Sequence, residues 1–221
     1  MFDLYTHATP NGYKPTMALE TLGLTYETHT IDSRGGITDP TLLAMNPNAK
    51  IPILFDRERQ ISVYESGAIL LYLAKISGAL FPPEEDLAAH ADGLQKLFFA
   101  SAWLGPMFGQ RMQYAFFEEG VQAHGIRRYE REGHRTTHVA QDMLGEAEWF
   151  LPMGFSIVDI AIFAWLHTAN LVGYVPEDAF PTLRAWMARV ETRPAIAKAL
   201  TIPMDRRDLP MPPRKVVESV A

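Results

Sequence analysis

Apolar and polar positions alternate with a period near two in the first part of the chain and then change period. Phe2–Thr6 sets Phe2 and Leu4 around Asp3 and reads as a first strand. Thr9-Pro10-Asn11-Gly12 reads as a turn built from residues that also cap helices. Lys14–Leu22 then follows helical spacing and is broken by Gly23. Thr25–Ile31, rich in β-branched and aromatic residues, predicts a second strand. Gly35-Gly36 marks a loop, and Thr41–Met45 allows one helical turn before Asn46-Pro47-Asn48. Pro52–Phe55 and Gln60–Val63 predict a hairpin, and Ser66–Ile76 a helix ended by Gly78. The order is βαβ, a loop, then ββα, within residues 1–80.

Beyond residue 80 no strand pattern persists. Phe81-Pro82-Pro83 cannot continue a helix, so residues 81–86 read as a linker. Residues 87–202 read as all-helical. Leu94, Leu97, Phe98 and Trp103-Leu104 form an approximate helical stripe, Tyr129–Leu151 has helical charge spacing, and Leu183, Trp186, Met187 and Val190 make an i, i+3, i+4, i+7 set. Ser156-Ile157-Val158-Asp159 has the form of a capping box, with Phe155 and Ile160 placed for a hydrophobic staple. The helix it opens, Ile157–Leu171, is apolar on most faces and should be buried, which makes Asp159 structural. Pro203–Pro213 collects four prolines, so residues 203–221 read as an extended arm or a disordered tail.

Composition narrows the chemistry. A formal net charge of -6 over 221 residues argues against a nucleic-acid surface. The chain has no Cys, so it offers no disulfide, no thiolate metal site and no catalytic thiol of its own. Any thiol chemistry must use a sulfur supplied by a ligand. The start, Met1-Phe2-Asp3-Leu4-Tyr5, lacks the basic and apolar runs of a signal peptide, and no apolar stretch approaches the roughly 20 residues of a membrane span. The expectation is a cytoplasmic protein with no membrane contact. His134 and His138 have helical metal-ligand spacing, but Arg135 follows the first and no third ligand is evident, so no metal is expected.

Lys50-Ile51-Pro52, Glu65-Ser66-Gly67-Ala68-Ile69-Leu70 and the helical segment from Phe155 to Trp165 together resemble a cytosolic glutathione transferase. Residues 9–14 (TPNGYK), 105–110 (GPMFGQ) and 126–129 (IRRY) resemble more narrowly the Nu class and its relatives, which include a fungal nitrogen regulator. The resemblance covers roughly residues 1–202. It implies a thioredoxin-like α/β domain followed by an all-α domain, a symmetric homodimer, and glutathione as the ligand, either reduced as cosubstrate or oxidised.

The resemblance also implies roles. Ile51-Pro52 would be a cis bond presenting the Ile51 backbone to the cysteinyl residue of glutathione. Glu65 would meet the γ-glutamyl ammonium, and Ser66 with the helix N-terminus its carboxylate, although Ser is also an ordinary cap. Lys50 would attract the glycyl carboxylate, and Arg128 would reach the ligand from the helical domain. Thr9 and Asn11 stand where other classes place a catalytic Tyr, Ser or Cys. Their hydroxyl and amide could stabilise the glutathione thiolate, or could only shape a turn and cap a helix. Tyr5 is a rival set deeper in the first strand. Met107, Phe108 and Tyr114 could line an acceptor pocket, though such spacing equally describes a core. The chain departs from the group at Tyr13, often His, and at Ile37, often Gln. The activity implied is glutathione-dependent disulfide reduction. The alternatives are conjugation or reductive cleavage of an apolar electrophile or ether, and a regulator that binds glutathione without turnover.

Overall fold

The computed structural model describes residues 1–32, 36–215 and 217. Four strands, β1 (Phe2–Thr6), β2 (Tyr26–Thr30), β3 (Ile53–Asp56) and β4 (Ile61–Tyr64), form one sheet in the order β2-β1-β3-β4. β1 runs parallel to β2 with Leu4 opposite Thr28, and antiparallel to β3 with Leu4 opposite Leu54. β3 and β4 form the expected hairpin. The parallel pair is joined through α1 (Pro10–Leu22), the crossover such a pair requires. A short α2 (Pro40–Met45) precedes β3, and α3 (Ser66–Ser77) follows β4, ending on left-handed Gly78.

α1 begins earlier than its pattern suggests. The turn expected at Thr9–Gly12 is the helix's first turn: Thr9 caps it, and Pro10 occupies the first helical position. Proline loses nothing there, because that N–H has no acceptor in the helix and the ring presets φ. Asn11 is therefore a helical residue with its side chain fixed on the helix surface. Gly12 makes the arrangement possible: a Cβ there would lie 2.0 Å from the His7 carbonyl oxygen.

The helical half comprises α4 (Leu87–Phe98), α5 (Gly105–Met112), α6 (Ala123–Leu144), α7 (Ile157–Asn170), α8 (Pro181–Glu191) and α9 (Pro194–Ala199). Wider-wound π turns at Phe99–Leu104 and Gln113–Phe117 flank α5. α6 starts and stops before the expected Tyr129–Leu151, because Gly145 turns the chain with a positive φ of 56°. The stripe on α4 and the π turn after it divides: Leu97 and Leu104 are buried, while Phe98 and Trp103 stay exposed.

α7 is the axis of this half. Every residue from Ile157 to Ala169 except Trp165 is buried. Its capping box is present as read. The Asp159 carboxylate also accepts from Trp186 Nε1 at 3.0 Å and Phe150 N at 3.2 Å. Burial pushes its pKa up against these donors. α1 packs against α3, α7 and α9, so the first helix carries contacts between the two halves.

The proline-rich segment is an arm with fixed contacts rather than free chain. Tyr13 donates its hydroxyl to the Met204 carbonyl at 2.8 Å, Arg206–Asp208 forms a 3-10 turn, and Lys215 N bonds the Ala115 carbonyl at 2.8 Å. Part of the expected tail (216 and 218–221) and of the glycine loop (Gly35) lies outside the described residues. Ile37, just after that loop, is buried with Leu42 and Ile53 in a small second core. The two departures, Tyr13 and Ile37, thus both serve packing.

Candidate active site

The head of α1 holds the two residues proposed for chemistry. Thr9 Oγ1 accepts from Gly12 N at 3.0 Å as the helix cap. A hydroxyl also has one proton to donate, so capping leaves Thr9 able to serve a sulfur anion. Asn11 Oδ1 accepts from Lys14 Nζ at 2.9 Å, Trp165 Nε1 at 3.2 Å and Ser66 Oγ at 3.3 Å. Lys14 Nζ also reaches Ser66 Oγ at 3.3 Å. Lys14 is almost completely buried, which pulls its pKa from 10.5 down to about 7, opposed by the charge of Glu65.

α3 begins at Glu65, which is the cap position in place of Ser66. Glu65 holds a positive φ of 66° and makes no capping bond with its own side chain. A non-glycine residue in this region costs on the order of 1–3 kcal/mol, a strain that collects at functional sites. The first-turn N–H groups of α3 have no acceptor within the helix and favour an anion. Ser66 is buried beneath them, and Glu65 is exposed. Glu65 and the helix end thus present a carboxylate and an anion-binding site side by side, which fits the zwitterionic end of a γ-glutamyl group.

Ile51–Pro52 is cis, as the resemblance implies. Among the described residues Ile51 makes no backbone hydrogen bond, so its peptide groups are open to an added strand. Lys50 is exposed, and its carbonyl accepts from Asn46 Nδ2 at 2.7 Å, which holds the approach to the cis bond. Arg128 lies exposed on α6 with its guanidinium carbon 5.8 Å from the Tyr129 ring centre. The structure does not join it to Asn11 or Ser66 by any hydrogen bond among the described residues.

Tyr5 stacks on His29 at 4.7 Å between ring centres, away from the hydrogen bonds around Asn11. Phe108 is wholly buried and belongs to packing rather than to an open acceptor pocket, and the half-buried Tyr114 stacks on Tyr129. The exposed His134 and His138 rings sit edge-on to one another and both contact Phe180. Asp3, Glu27 and His29 bring ligand atoms within 4.8 Å of one another. There the Arg57 guanidinium already takes the cation's place, bonding Asp3 Oδ2 and Glu27 Oε2 at 2.6 Å each.

Comparison with known proteins agrees with this geometry. Residues 9–76 match the profile of the glutathione S-transferase N-terminal domain, and residues 131–194 that of its C-terminal domain. The chain is also 35% identical over 206 residues to the disulfide-bond oxidoreductase YfcG of Escherichia coli (strain K12), an alignment covering 90% of this chain and 94% of that one. The chain belongs to the glutathione S-transferase family. Among solved structures, a glutathione transferase from Pseudomonas putida with one glutathione disulfide bound per subunit superposes with a TM-score of 0.81 at 35% identity, covering 91% of each chain. A family member from Pseudomonas fluorescens with two glutathione molecules bound gives 0.80 at 34% identity, covering 90% of this chain and 92% of that one.

Two members of this constellation, Lys14 and Trp165, carry no role in the sequence reading. The lysine between Tyr13 and Pro15 in α1 is the one available signal. Trp165 has none, because a tryptophan in an apolar helix reads as core.

Proposed function

We propose that the protein is a glutathione-dependent disulfide-bond oxidoreductase of the transferase family, with Thr9 and Asn11 as the residues that meet the glutathione sulfur. The observation that carries this reading is the link between Asn11 and Ser66. It joins the head of α1 to the head of α3 in a chain without cysteine, which supports a thiol-binding residue set beside a γ-glutamyl-binding one. A tripeptide with its γ-glutamyl carboxylate on α3 and its backbone along Ile51 places its sulfur by the head of α1. Lys50 takes the glycyl carboxylate, Glu65 the ammonium, and Arg128 a second glutathione or the other half of the disulfide form.

A free thiol of pKa near ~8.5 is only a few per cent thiolate at pH 7. Donors fixed at the head of α1 stabilise the anion without reorganising during reaction. The thiolate attacks one sulfur of a substrate disulfide, forming a mixed disulfide and expelling a thiolate that takes up a proton. The thiolate of a second glutathione attacks the glutathione sulfur of that mixed disulfide. This releases the second substrate thiol and glutathione disulfide. Two glutathione thiols are consumed for each disulfide reduced.

The working unit is a symmetric homodimer in the cytoplasm, where the glutathione pool is kept reducing. Exposed Phe98, Trp103, Ile61 and Tyr64 supply apolar surface for an interface. Residues 1–80 form the glutathione-binding domain, 81–86 the linker, 87–202 the helical domain and 203–221 the proline-rich C-terminal tail.

Calorimetric titration with reduced and with oxidised glutathione, beside a turnover assay on a small disulfide, tests the reading. Binding of the oxidised form, or of two reduced molecules per subunit, together with turnover is the expected result. One reduced molecule bound without disulfide turnover would transfer the assignment to conjugation or reductive cleavage. Binding without turnover on any electrophile would leave a regulator.

A further inference from the structure

The three donors on Asn11 come from three elements, α1, α3 and α7. An indole N–H donates and cannot accept, so the atom Trp165 meets is the amide oxygen and not its nitrogen. The oxygen's lone pairs are taken, and among the described residues Asn11 Nδ2 makes no hydrogen bond, which leaves its hydrogens for a group outside the cluster. Trp165 is the residue of the buried run on α7 that stays partly exposed. Its indole reaches Asn11 through space left by α5: a Cβ at Gly105 would stand 2.7 Å from Trp165 Nε1, and one at Gly109 3.5 Å from Cη2. Gly105 and Gly109 on α5 make room for this ring.

We propose that Lys14 and Trp165 are positioning residues that lock the Asn11 carboxamide with its N–H groups toward the bound glutathione sulfur, and that Gly105 keeps the space through which the indole reaches it. The inference rests on the reading that Asn11 meets that sulfur. Donors on the amide oxygen polarise the amide and make its N–H groups stronger donors to an anion. They also hold it in place before the thiolate forms. Lys14 ties the same atom to Ser66, so occupancy of the γ-glutamyl site and the orientation of Asn11 share one hydrogen-bonded cluster. Glu65 is the charged group that acts on the Lys14 ammonium.

The test uses the full chain with Trp165→Phe, which keeps a ring and removes the N–H, together with Lys14→Met, Gly105→Ala and Asn11→Ala. The readouts are the pH dependence of the ultraviolet thiolate absorbance of bound reduced glutathione, its calorimetric Kd, and disulfide turnover. Trp165→Phe and Gly105→Ala should each raise the bound thiol pKa by about one unit, a tenfold loss of thiolate preference. Turnover near pH 7 should fall with it, while Kd stays within about threefold, less than half that free-energy change. Lys14→Met should act in the same direction. If Asn11→Ala raises the thiol pKa and Trp165→Phe leaves it in place, the inference is overturned and the proposed function stands. If Asn11→Ala also leaves it in place, both the inference and the assignment of Asn11 fail. A folded Trp165→Phe that loses affinity and keeps its pH profile would reduce Trp165 to packing.

Discussion

Lys14 shows how a single buried residue sets both stability and chemistry. In the unfolded chain it is charged up to about 10.5, and in the folded protein burial lowers this to about 7. Below pH 7 both states carry the charge, so the full cost of burying it is present. Between about 7 and 10.5 the folded chain has released a proton that the unfolded chain still holds, so stability rises with pH. Denaturant melts across that window should show the rise in the native protein and a flatter profile in Lys14→Met. Tyr13 works through its hydroxyl: its bond to the Met204 carbonyl anchors the arm, and burial pushes its pKa up to about 12. Tyr13→Phe should speed proteolysis and amide exchange between residues 203 and 215 while the core melts within about 1 kcal/mol of native, the worth of one hydrogen bond.

At the scale of elements, α1 and α7 do most of the organising. The capping box at Ser156–Asp159 was legible because both halves of the motif lie within four residues. What the spacing could not show is that the same carboxylate also receives Trp186 from α8 and the Phe150 backbone. Asp159→Ala therefore removes a cap and strands buried donors, and should cost about 3 kcal/mol, well above the roughly 1 kcal/mol of a cap alone. Thermal or denaturant unfolding measures it. The start of α1 looks like a turn in the sequence for a related reason. Thr, Pro, Asn and Gly are turn formers by local preference, yet Thr-Pro is equally a cap followed by a first helical residue. Contact with the His7 carbonyl, which only Gly12 permits, decides between the two.

At the scale of the molecule, the two halves share α1, and the proposed site lies where they meet: Asn11 is held jointly by α1, α3 and α7. Exposed Phe98 at the end of α4 and Trp103 in the π turn that follows fit the proposed dimer better than a solvated monomer surface. Phe98→Glu should shift sedimentation toward the monomer, since an uncompensated charge at an apolar interface core is costly. Unchanged dimerisation would move the interface elsewhere.

The cis Ile51–Pro52 bond follows only from the family resemblance, whereas the chain's own pattern carries the βαβ–ββα order, the helical second half, the capping box and the absence of any internal thiol. Each of these is written in local spacing or in residue type, which act over a few positions. Tertiary structure alone decided that Asn11 is helical, that Glu65 rather than Ser66 caps α3, that Phe108 is core, and that Lys14 and Trp165 converge on one amide oxygen. Trp165 lies 154 positions from Asn11 in the chain. No periodicity spans such a distance, and only the packing of α7 against α1 brings the two together.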